Sequence, residues 1–401
     1  MPKTIVLCAD GTWNGPESET GESVLDSGDV RGEIEQASFT NVVKLFANLP
    51  GQTVAGTTES EDENEKAASA ADGSTLQVMK YLHGVGDSAN PINRFLGGVF
   101  GLGVISRIVR GYTYISRYYQ PGDAIVICGF SRGAYTARAL AGMIAKIGLL
   151  NPEAYDPADK EHAYKLGIAA WARSKSIALA GKGLLTVIAN HTLNFVEHVI
   201  ALPLPADDLI GNIPIKAVGV WDTVGSLGIP RYADNHRYDL FRFIDQDLSP
   251  AVEYGFHAMA IDEMRADFNI TRWNPRYDVR EVWFIGAHTD VGGGNPENQS
   301  RLSDAALGWM IGMLAGVGVS FSQPLTAPPN PGAIGQPIRQ PWNKVPFAAL
   351  PQAPRLVAAN DTLHATVVER WNADKSYRPD AMRRLGGEIE SCAVDRMSGV
   401  R

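Results

Sequence analysis

The sequence predicts an α/β fold with one mostly parallel, doubly wound sheet, and two observations carry this prediction. The first is a set of four apolar runs rich in β-branched residues, each followed by a polar segment: 4–9, 124–128, 215–220 and 282–287. The second is that segments with helical periodicity alternate with these runs, as expected for strands that are covered on both faces of a parallel sheet.

Further elements follow from the same patterns. Residues 76–82 form a fifth apolar run, which predicts another strand, and residues 92–119 after it have a helix-like sequence. Helical periodicity is clearest in residues 134–149 and 302–315, and the latter begins with Ser303-Asp304, the predicted helix cap. Because ligands bind beyond the carboxyl ends of parallel strands, the polar residues after the strands predict a site at one sheet edge.

Composition excludes several classes of protein. A chain of 401 residues with 45% hydrophobic and 20% charged residues can bury a large core, which excludes disorder as the main state. The 36 basic and 44 acidic residues give a formal net charge of −8, so no nucleic-acid partner is expected. Cys8, Cys128 and Cys392 lack the spacing of a disulfide framework and predict buried thiols in a reducing compartment.

The first residues of the chain do not resemble a secretory signal peptide. They contain one basic residue and an apolar run that is too short for such a signal. No stretch reaches the roughly 18 uninterrupted apolar residues of a membrane-spanning helix. We therefore expect a protein that is cytoplasmic as synthesised and that only a signal-peptide-independent system could export.

We expect one large catalytic domain, residues 1–322, with two insertions. Residues 15–75 are rich in small and acidic residues and predict an acidic loop. Residues 151–210 predict a helical cap insertion near the site, either a covering hairpin or a mobile lid. Residues 323–356 carry nine prolines and predict an extended connection, after which residues 357–401 are expected to pack back onto the domain.

The segment Gly129-Phe130-Ser131-Arg132-Gly133 matches the nucleophile elbow, G-x-S-x-G, in which a serine occupies a strained turn from a strand into a helix. It follows an apolar strand and opens an alanine-rich helix, which is the context that this motif requires. Gly129 and Gly133 leave room for the turn, because side chains there would collide with the neighbouring strand and helix. Ser131 is therefore the candidate nucleophile.

A serine hydroxyl needs a base within hydrogen-bond reach and an acid that orients the base. Among the eight histidines, His288 alone directly follows a strong strand and enters a glycine-rich turn, so it is the candidate base. His83 and His257 are intermediate candidates. The other five stand in polar or helical surroundings and are expected to be surface or core residues.

Three aspartates compete for the role of the acid. Asp222 stands at a strand tip and gives the order Ser131, Asp222, His288 that α/β-hydrolases use. Asp290 would more naturally bond its own turn or brace the loop, and Asp262 lies in a segment that looks helical. Asp222 is preferred, and the other two stay open.

Acyl transfer also needs donors aimed at the developing oxyanion. The amide of Arg132 is one candidate, and the amide of Gly11 or Thr12, in the turn after the first strand, is the other. Asp10 either orients that loop or caps its own tight turn. We expect no metal and no other cofactor, because His288 with Asp290 and Asp10 would be a weak set of metal ligands and nucleotide-binding motifs are absent.

Several stretches resemble one bacterial and fungal α/β-hydrolase family, long known as a domain of unknown function, whose characterised members are type VI secretion phospholipase effectors of the first lipase class. The longest stretch is GFSRGAYTAR at residues 129–138. The others are DGTWN at 10–14, TNV at 40–42, GVG at 84–86, GVWDTVGSLG at 219–228, HAMAIDE at 257–263, WFIGAHTDVGGG at 283–294 and YRP at 377–379.

The resemblance implies an α/β-hydrolase fold and a serine carboxylester hydrolase, with Ser131, Asp222 and His288 at the positions of the family's catalytic residues. We expect a phospholipase that works through an acyl-enzyme on phospholipid or other acyl-ester substrates. Peripheral membrane contact and an immunity or secretion partner are expected with it. Two alternatives stay open, namely a hydrolase of small soluble esters or amides and a non-catalytic binding protein of the same fold.

Overall fold

A ten-stranded sheet forms the centre of the computed structural model. The structure describes residues 2–11, 39–54, 63–83, 100–179, 204–224, 247–295, 301–330, 333–344, 347–349, 351–386 and 389–397. The strands are β1 (Thr4–Ala9), β2 (Gln52–Thr53), β3 (Glu63–Ser69), β4 (Thr75–Leu82), β5 (Ala124–Phe130), β6 (Leu149–Leu150), β7 (Leu209–Ile210), β8 (Ile215–Trp221), β9 (Val252–Ala260), β10 (Val279–Phe284), β11 (Thr362–His364) and β12 (Ala393–Asp395).

The sheet is mostly parallel, as the sequence predicts. Its order is β12-β11-β10-β9-β8-β5-β1-β4-β3-β2. Neighbouring strands from β12 to β4 are parallel, whereas β3 and β2 are added antiparallel at one edge. The short strands β6 and β7 pair separately. The carboxyl ends of the central parallel strands therefore meet along one edge of the sheet.

Helices cover both faces of the sheet. They are α1 (Asn41–Asn48), α2 (Phe100–Tyr118), α3 (Arg132–Ile147), α4 (Lys160–Leu179), α5 (His288–Gly292), α6 (Ser303–Gly316) and α7 (Ala365–Ala373). Alternate residues of β1 enter two cores: Val6 and Cys8 pack with α1 and α6, while Ile5 and Leu7 pack with α2 and α3. Burial on both faces explains why these strands are continuous apolar runs.

The prediction of an acidic loop over residues 15–75 is wrong in part, because this range contains α1, β2 and β3. Thr40 caps α1 by accepting a hydrogen bond from the amide of Val43. Glu65 in β3 is buried and pairs with Lys80 of β4 at 2.9 Å. An acidic residue with a buried cationic partner can join a sheet, so its charge does not indicate a solvated loop. Residues 12–38 and 55–62 lie outside the described residues.

Two smaller expectations also need correction. Ser303 and Asp304 do not cap α6 from outside, because both lie in its first turn and the residue before them makes no side-chain cap. The Asp304 carboxylate instead accepts from the ammonium of Lys44 and the amide of Asn330. The segment before Asp262 is not helical, because residues up to Ala260 form the central strand β9.

The remaining segments take places at the periphery of the sheet. Within the predicted insertion 151–210, α4 packs against α2 and α3. The described residues of 323–356 include three short 3-10 turns, and the segment after them adds β11 and β12 to the sheet. No helix among the described residues is long and apolar enough to cross a membrane. The proposed domain boundaries stay predictions.

The turn from β5 into α3 depends on two glycines. A Cβ atom on Gly133 would lie 2.0 Å from the carbonyl oxygen of Ala9 at the end of β1, and one on Gly129 would lie 2.3 Å from the carbonyl oxygen of Gly133. Neither contact can be relieved by a flexible side chain, because both partners are backbone atoms. The close approach of β1, β5 and α3 therefore requires glycine at both positions.

We expect Gly133→Ala to destabilise the fold by about 2–3 kcal/mol, because the new methyl group must push β1 away from α3. The matched control is Gly142→Ala in the same helix, where a Cβ atom meets nothing within 4 Å. Alanine there should stabilise the fold by about 0.5–1 kcal/mol through its higher helix propensity. Urea unfolding of both variants checks the pair, and equal stabilities would contradict the prediction.

Candidate active site

Ser131 stands at the turn where β5 passes into α3. Its backbone has φ 57° and ψ −119°, a left-handed conformation that residues with side chains rarely adopt. The amide of Ser131 donates to the carbonyl oxygen of Trp221 in β8, 3.1 Å away, which holds the turn against the neighbouring strand. The strained turn directs the hydroxyl away from the helix axis and beyond the sheet edge.

His288 begins the short helix α5, shortly after β10, and faces the serine. Its Nε2 lies 2.8 Å from the Oγ of Ser131. Its backbone amide donates to the carboxylate of Glu263 at 3.1 Å. The rings of Phe130 and Phe268 lie 4.6 and 5.1 Å from the imidazole, centroid to centroid, and shield it from water.

Asp222 follows β8 and completes a hydrogen-bonded chain of three side chains. Its Oδ2 lies 2.6 Å from His288 Nδ1, and its Oδ1 accepts from the amide of Ala260 at 2.8 Å. The residue is fully buried and has φ 43°, so its backbone is also left-handed. The structure thus brings together Ser131, His288 and Asp222, in the order that the sequence analysis preferred.

Arg355 is a contact of Asp222 that the sequence analysis missed. Its guanidinium donates to both carboxylate oxygens, Nη1 to Oδ1 at 2.5 Å and Nη2 to Oδ2 at 2.9 Å. The same two nitrogens donate to the carbonyl oxygens of Ala260 and Phe268. Arg355 lies in the proline-rich connection, where no periodicity or motif indicates which side chain turns inward.

The pKa values of Asp222 and His288 favour a charged carboxylate and a neutral imidazole. Burial would raise the pKa of Asp222, but the Arg355 charge and the hydrogen bonds from His288 and Arg355 outweigh it and hold that pKa well below its usual range. Burial lowers the pKa of His288 despite its bond to Asp222. At neutral pH the pair is therefore a carboxylate beside a neutral imidazole.

The two other candidate acids have structural contacts instead. Asp290 accepts from the amides of Ala287 and Arg339, both at 3.0 Å, and so braces the start of α5. Asp262 accepts from the amide of Gly286 and the hydroxyl of Tyr377. None of these recorded contacts reaches the imidazole of His288, which already has Asp222 on its Nδ1.

The two described candidates for oxyanion donors are the amides of Arg132 and Gly11. Arg132 is the first residue of α3, so its amide belongs to the first turn, where amides have no acceptor within the helix. The amide of Gly11 donates to the Oδ1 of Asp10 at 2.6 Å. In this arrangement the Asp10 carboxylate takes that amide, and the expectation that Gly11 or Thr12 supplies an oxyanion donor stays a prediction. Thr12 lies outside the described residues.

Asp10 forms a buried polar cluster beside the serine. Its Oδ2 accepts from the hydroxyls of Thr40 at 2.6 Å and Tyr81 at 2.7 Å. Gly11 connects this cluster to the site, since a Cβ atom there would lie 3.4 Å from the Cβ of Ser131. Burial raises the pKa of Asp10 to about 7, although all three hydrogen bonds favour the charged form.

His257 belongs to a second network beneath Asp222 and not to the serine. Its Nε2 accepts from the amide of Thr223 at 3.1 Å, and its Nδ1 lies 3.0 Å from Glu281. Burial lowers its pKa, so the ring is neutral at pH 7. Among the described residues, no three His, Cys, Asp or Glu side chains are grouped so that they could hold a metal ion.

The arrangement can activate a hydroxyl. A neutral imidazole within hydrogen-bond distance of Ser131 can take its proton, and the charged Asp222 behind the ring stabilises the imidazolium that forms. The surrounding aromatic rings exclude water and strengthen these electrostatic interactions. The backbone amide of each of the three residues also donates its own hydrogen bond, Ser131 to the carbonyl oxygen of Trp221, Asp222 to that of Ala258 and His288 to the carboxylate of Glu263.

We predict that the Asp10 carboxyl makes the fold less stable as the pH rises from 5 to 7.5. The pKa of this carboxyl is about 7 in the fold, whereas that of an exposed aspartate is 3.8, so the native state holds an extra proton between these two pH values. Asp10→Asn cannot lose this proton. Its free energy of unfolding relative to wild type should therefore improve by up to about 1.4 kcal/mol per pH unit.

Urea unfolding at several pH values tests this prediction. The control is Asp72→Asn, because the Asp72 carboxyl is exposed and has a lowered pKa, so its effect should stay constant across the same range. A constant difference between Asp10→Asn and wild type would contradict the raised pKa.

The chain is similar to larger proteins. It is 28% identical over 162 residues to the uncharacterized protein YEL023C of Saccharomyces cerevisiae, a match that covers 37% of this chain and 18% of that one. A solved structure of an uncharacterized protein from Pseudomonas aeruginosa aligns with TM-score 0.46 and 18% identity over 82% of this chain and 48% of the other. The Tle1 effector bound to the VgrG spike of the Type 6 secretion system aligns with TM-score 0.35 and 17% identity, over 74% and 52%.

The chain thus spans about half or less of the length of these proteins. A family model covers more of it: the model of the catalytic domain of Tle1-like phospholipase effectors of the type VI secretion system matches residues 3–313. This range includes all three side chains of the hydrogen-bonded chain and ends before Arg355. The protein belongs to the family of Tle1-like type VI secretion phospholipase effectors, through their catalytic domain.

Proposed function

We propose that the protein is a serine carboxylester hydrolase with an α/β-hydrolase fold, and that it acts as a phospholipase. The observation that carries this proposal is the hydrogen-bonded chain from Ser131 Oγ through His288 to Asp222. The left-handed backbone of Ser131, at the start of a helix after a central strand, is the geometry of a nucleophile elbow. Family membership supports the substrate class.

The proposed reaction proceeds through an acyl-enzyme. The Oγ of Ser131 attacks the ester carbonyl carbon while its proton passes to Nε2 of His288, and the carbonyl π electrons move onto the oxygen. When the tetrahedral intermediate collapses, the bond to the leaving alcohol breaks and the imidazolium gives its proton to that alcohol. Water, deprotonated by the same imidazole, then attacks the acyl carbon. When this second intermediate collapses, the bond between the acyl carbon and Oγ breaks, the imidazolium returns its proton to Oγ, and the fatty acid leaves.

The oxyanion is stabilised mainly from the amino terminus of α3 in this proposal. The amide of Arg132 is nearest in sequence to the nucleophile, and the first-turn amides together carry the positive end of the helix dipole. This arrangement does not require a metal ion. The amide of Gly11 could serve only after leaving the Asp10 carboxylate, which it contacts at 2.6 Å.

The family also guides our proposals on localisation and partners. Because its members are type VI secretion effectors, we propose that the protein is made in the cytoplasm and exported by such a system, where a secretion protein carries it. Its substrate would place it in peripheral contact with a membrane, and an immunity protein would protect the producing cell. We also propose residues 1–322 as the catalytic domain, with 151–210 as its covering insertion.

A fluorophosphonate probe should label the protein at Ser131, because an activated serine hydroxyl attacks the phosphorus atom. Labelling, measured by intact mass, should be abolished in Ser131→Ala and should fall sharply in His288→Ala. The rate of fatty-acid release from phosphatidylcholine–phosphatidylglycerol vesicles should fall by at least about 10³-fold in both variants.

Ser174→Ala is the matched control, because Ser174 is buried in α4 and its hydroxyl donates to the carbonyl oxygen of Trp171 in the same helix. It should keep wild-type labelling and release. Labelling that persists in Ser131→Ala would overturn the assignment of the nucleophile. A protein that is labelled and hydrolyses short soluble esters, but releases no fatty acid from vesicles, would contradict the phospholipase proposal. That result would favour a hydrolase of small soluble esters.

The pH profile of kcat/KM should reflect the neutral imidazole. Burial lowers the pKa of His288 from 6.5, so the fraction of active base is lost only as the pH falls through a value below 6.5. We expect the acid limb on a soluble p-nitrophenyl ester to have its midpoint below 6.5. A midpoint above that value would show that the Asp222 charge outweighs the burial of the ring.

A further inference from the structure

We propose that Arg355 is a positioning residue of the Asp222–His288 pair, supplied by a strap of residues 351–361 that lies outside the part of the chain matched by the family model. This inference rests on the proposed function, because it assigns a role in the same site. Four hydrogen bonds carry it: two to the carboxylate of Asp222 and one each to the carbonyl oxygens of Ala260 and Phe268.

The fork of the guanidinium fixes the rotation of the Asp222 carboxylate. Nη1 and Nη2 each meet one oxygen, at 2.5 and 2.9 Å, so the plane of the carboxylate must follow the plane of the guanidinium. In this orientation Oδ2 also lies 2.6 Å from His288 Nδ1. Arg355 therefore contributes to the direction in which the imidazole presents its Nε2 to the serine.

The strap is attached on both sides of Arg355. Before it, the amide of Ala353 donates to the carbonyl oxygen of Met264 at 2.8 Å, and Arg265 and Gln352 form an isolated antiparallel bridge. After it, Asp361 pairs with Arg272 at 2.8 Å and accepts from the amide of Ala358. The arginine thus enters the site from a segment that is itself fixed, with its side chain only 2% exposed.

Arg272 links the strap to the second network beneath the site. Its guanidinium also pairs with Glu281 at 2.9 Å, and Glu281 contacts His257 Nδ1. His257 in turn accepts from the amide of Thr223, the residue after Asp222. The carboxylate of Asp222 is therefore held by Arg355, and the backbone of the next residue, Thr223, is held by contacts that lead back to Asp361 in the same strap.

The charge of Arg355 also sets how strongly the pair attracts a proton. Asp222 with Arg355 is close to neutral, so the attraction of the carboxylate for an imidazolium is weakened. The other charged side chains that act on the ring are Arg265, which lowers its pKa, and Glu263, which raises it, and these two pair with each other at 2.8 Å. The carboxyls of Asp262 and Asp290 accept from backbone amides just before α5, those of Gly286 and Ala287. Removing only Arg355 should therefore make the Asp222–His288 pair bind its first proton at a higher pH.

Arg355→Gln tests the proposal, because glutamine keeps a hydrogen-bond donor but removes the charge and the fork. Two measurements are made: the pH titration of the His288 imidazole by NMR, and the acid limb of kcat/KM on a soluble p-nitrophenyl ester. We expect both midpoints to rise by about one pH unit. We also expect kcat at the optimum to fall at least about tenfold, with KM little changed.

The matched control is Arg276→Gln. Arg276 pairs with Asp278 and donates to the carbonyl oxygens of Leu248, Ser249 and Val252, at the opposite end of β9. It should leave both midpoints and kcat unchanged. Unshifted midpoints in folded Arg355→Gln would overturn the proposal, as would an equal shift in the control.

A second variant decides the question if Arg355→Gln does not fold. Arg355→Lys keeps the charge but cannot contact both carboxylate oxygens in one plane, so we expect wild-type midpoints with a kcat at least about fivefold lower. Wild-type kcat in Arg355→Lys would overturn the positioning role. If the wild-type protein neither reacts with fluorophosphonate nor hydrolyses esters, the proposed function fails, whereas the imidazole titration still tests Arg355.

Discussion

The buried negative charge of Asp222 is the constraint on which the rest of the site depends. A carboxylate with no exposed surface is costly unless donors surround it, and the penalty for leaving one unpaired is several kcal/mol. Its donors are His288, Arg355 and the amide of Ala260. They come from three parts of the chain that are far apart in sequence. The fold must therefore bring β8, β9, the start of α5 and the strap to one point. Moving any of them would remove a hydrogen-bond donor from the buried carboxylate.

Backbone strain is concentrated on two neighbouring strands at this point. Ser131 after β5 and Asp222 after β8 both have positive φ, although neither is glycine. Such conformations cost of order 1–3 kcal/mol each and persist only where the surroundings determine them. Here the amide of Ser131 bonds to the carbonyl oxygen of Trp221, the residue before Asp222. The two strained residues therefore support one another through the sheet, and the glycines around β5 give the space that this arrangement needs.

Local patterns predicted the parts of the structure that depend on local physics. The buried strands, the elbow at Ser131 and the histidine after a strand were all visible as residue types at fixed spacing. The inward position of Arg355 was not visible, nor were the contacts of His257 and Glu263, because these arise only when distant segments meet. The acidic residues led to a wrong prediction for the same reason. Glu65 was assigned to a solvated loop, because the sequence does not show that β4 places Lys80 beside it. The order of the strands and the position of the strap beside Asp222 depend on tertiary packing. No short segment of the sequence contains that information.

Asp222 and Asp10 are both buried near the serine, but their neighbours give them different protonation states and different roles. Asp222 meets a guanidinium and an imidazole, so its pKa stays low and it remains charged. The donors recorded for Asp10 are the hydroxyls of Thr40 and Tyr81 and the amide of Gly11, all neutral, so burial prevails and its pKa rises to about 7. A group that is partly protonated at neutral pH is a poor partner for an imidazolium. Asp222 can orient His288 because its neighbours are positively charged or can become so. Asp10 accepts from neutral donors, and its contacts hold the turn after β1.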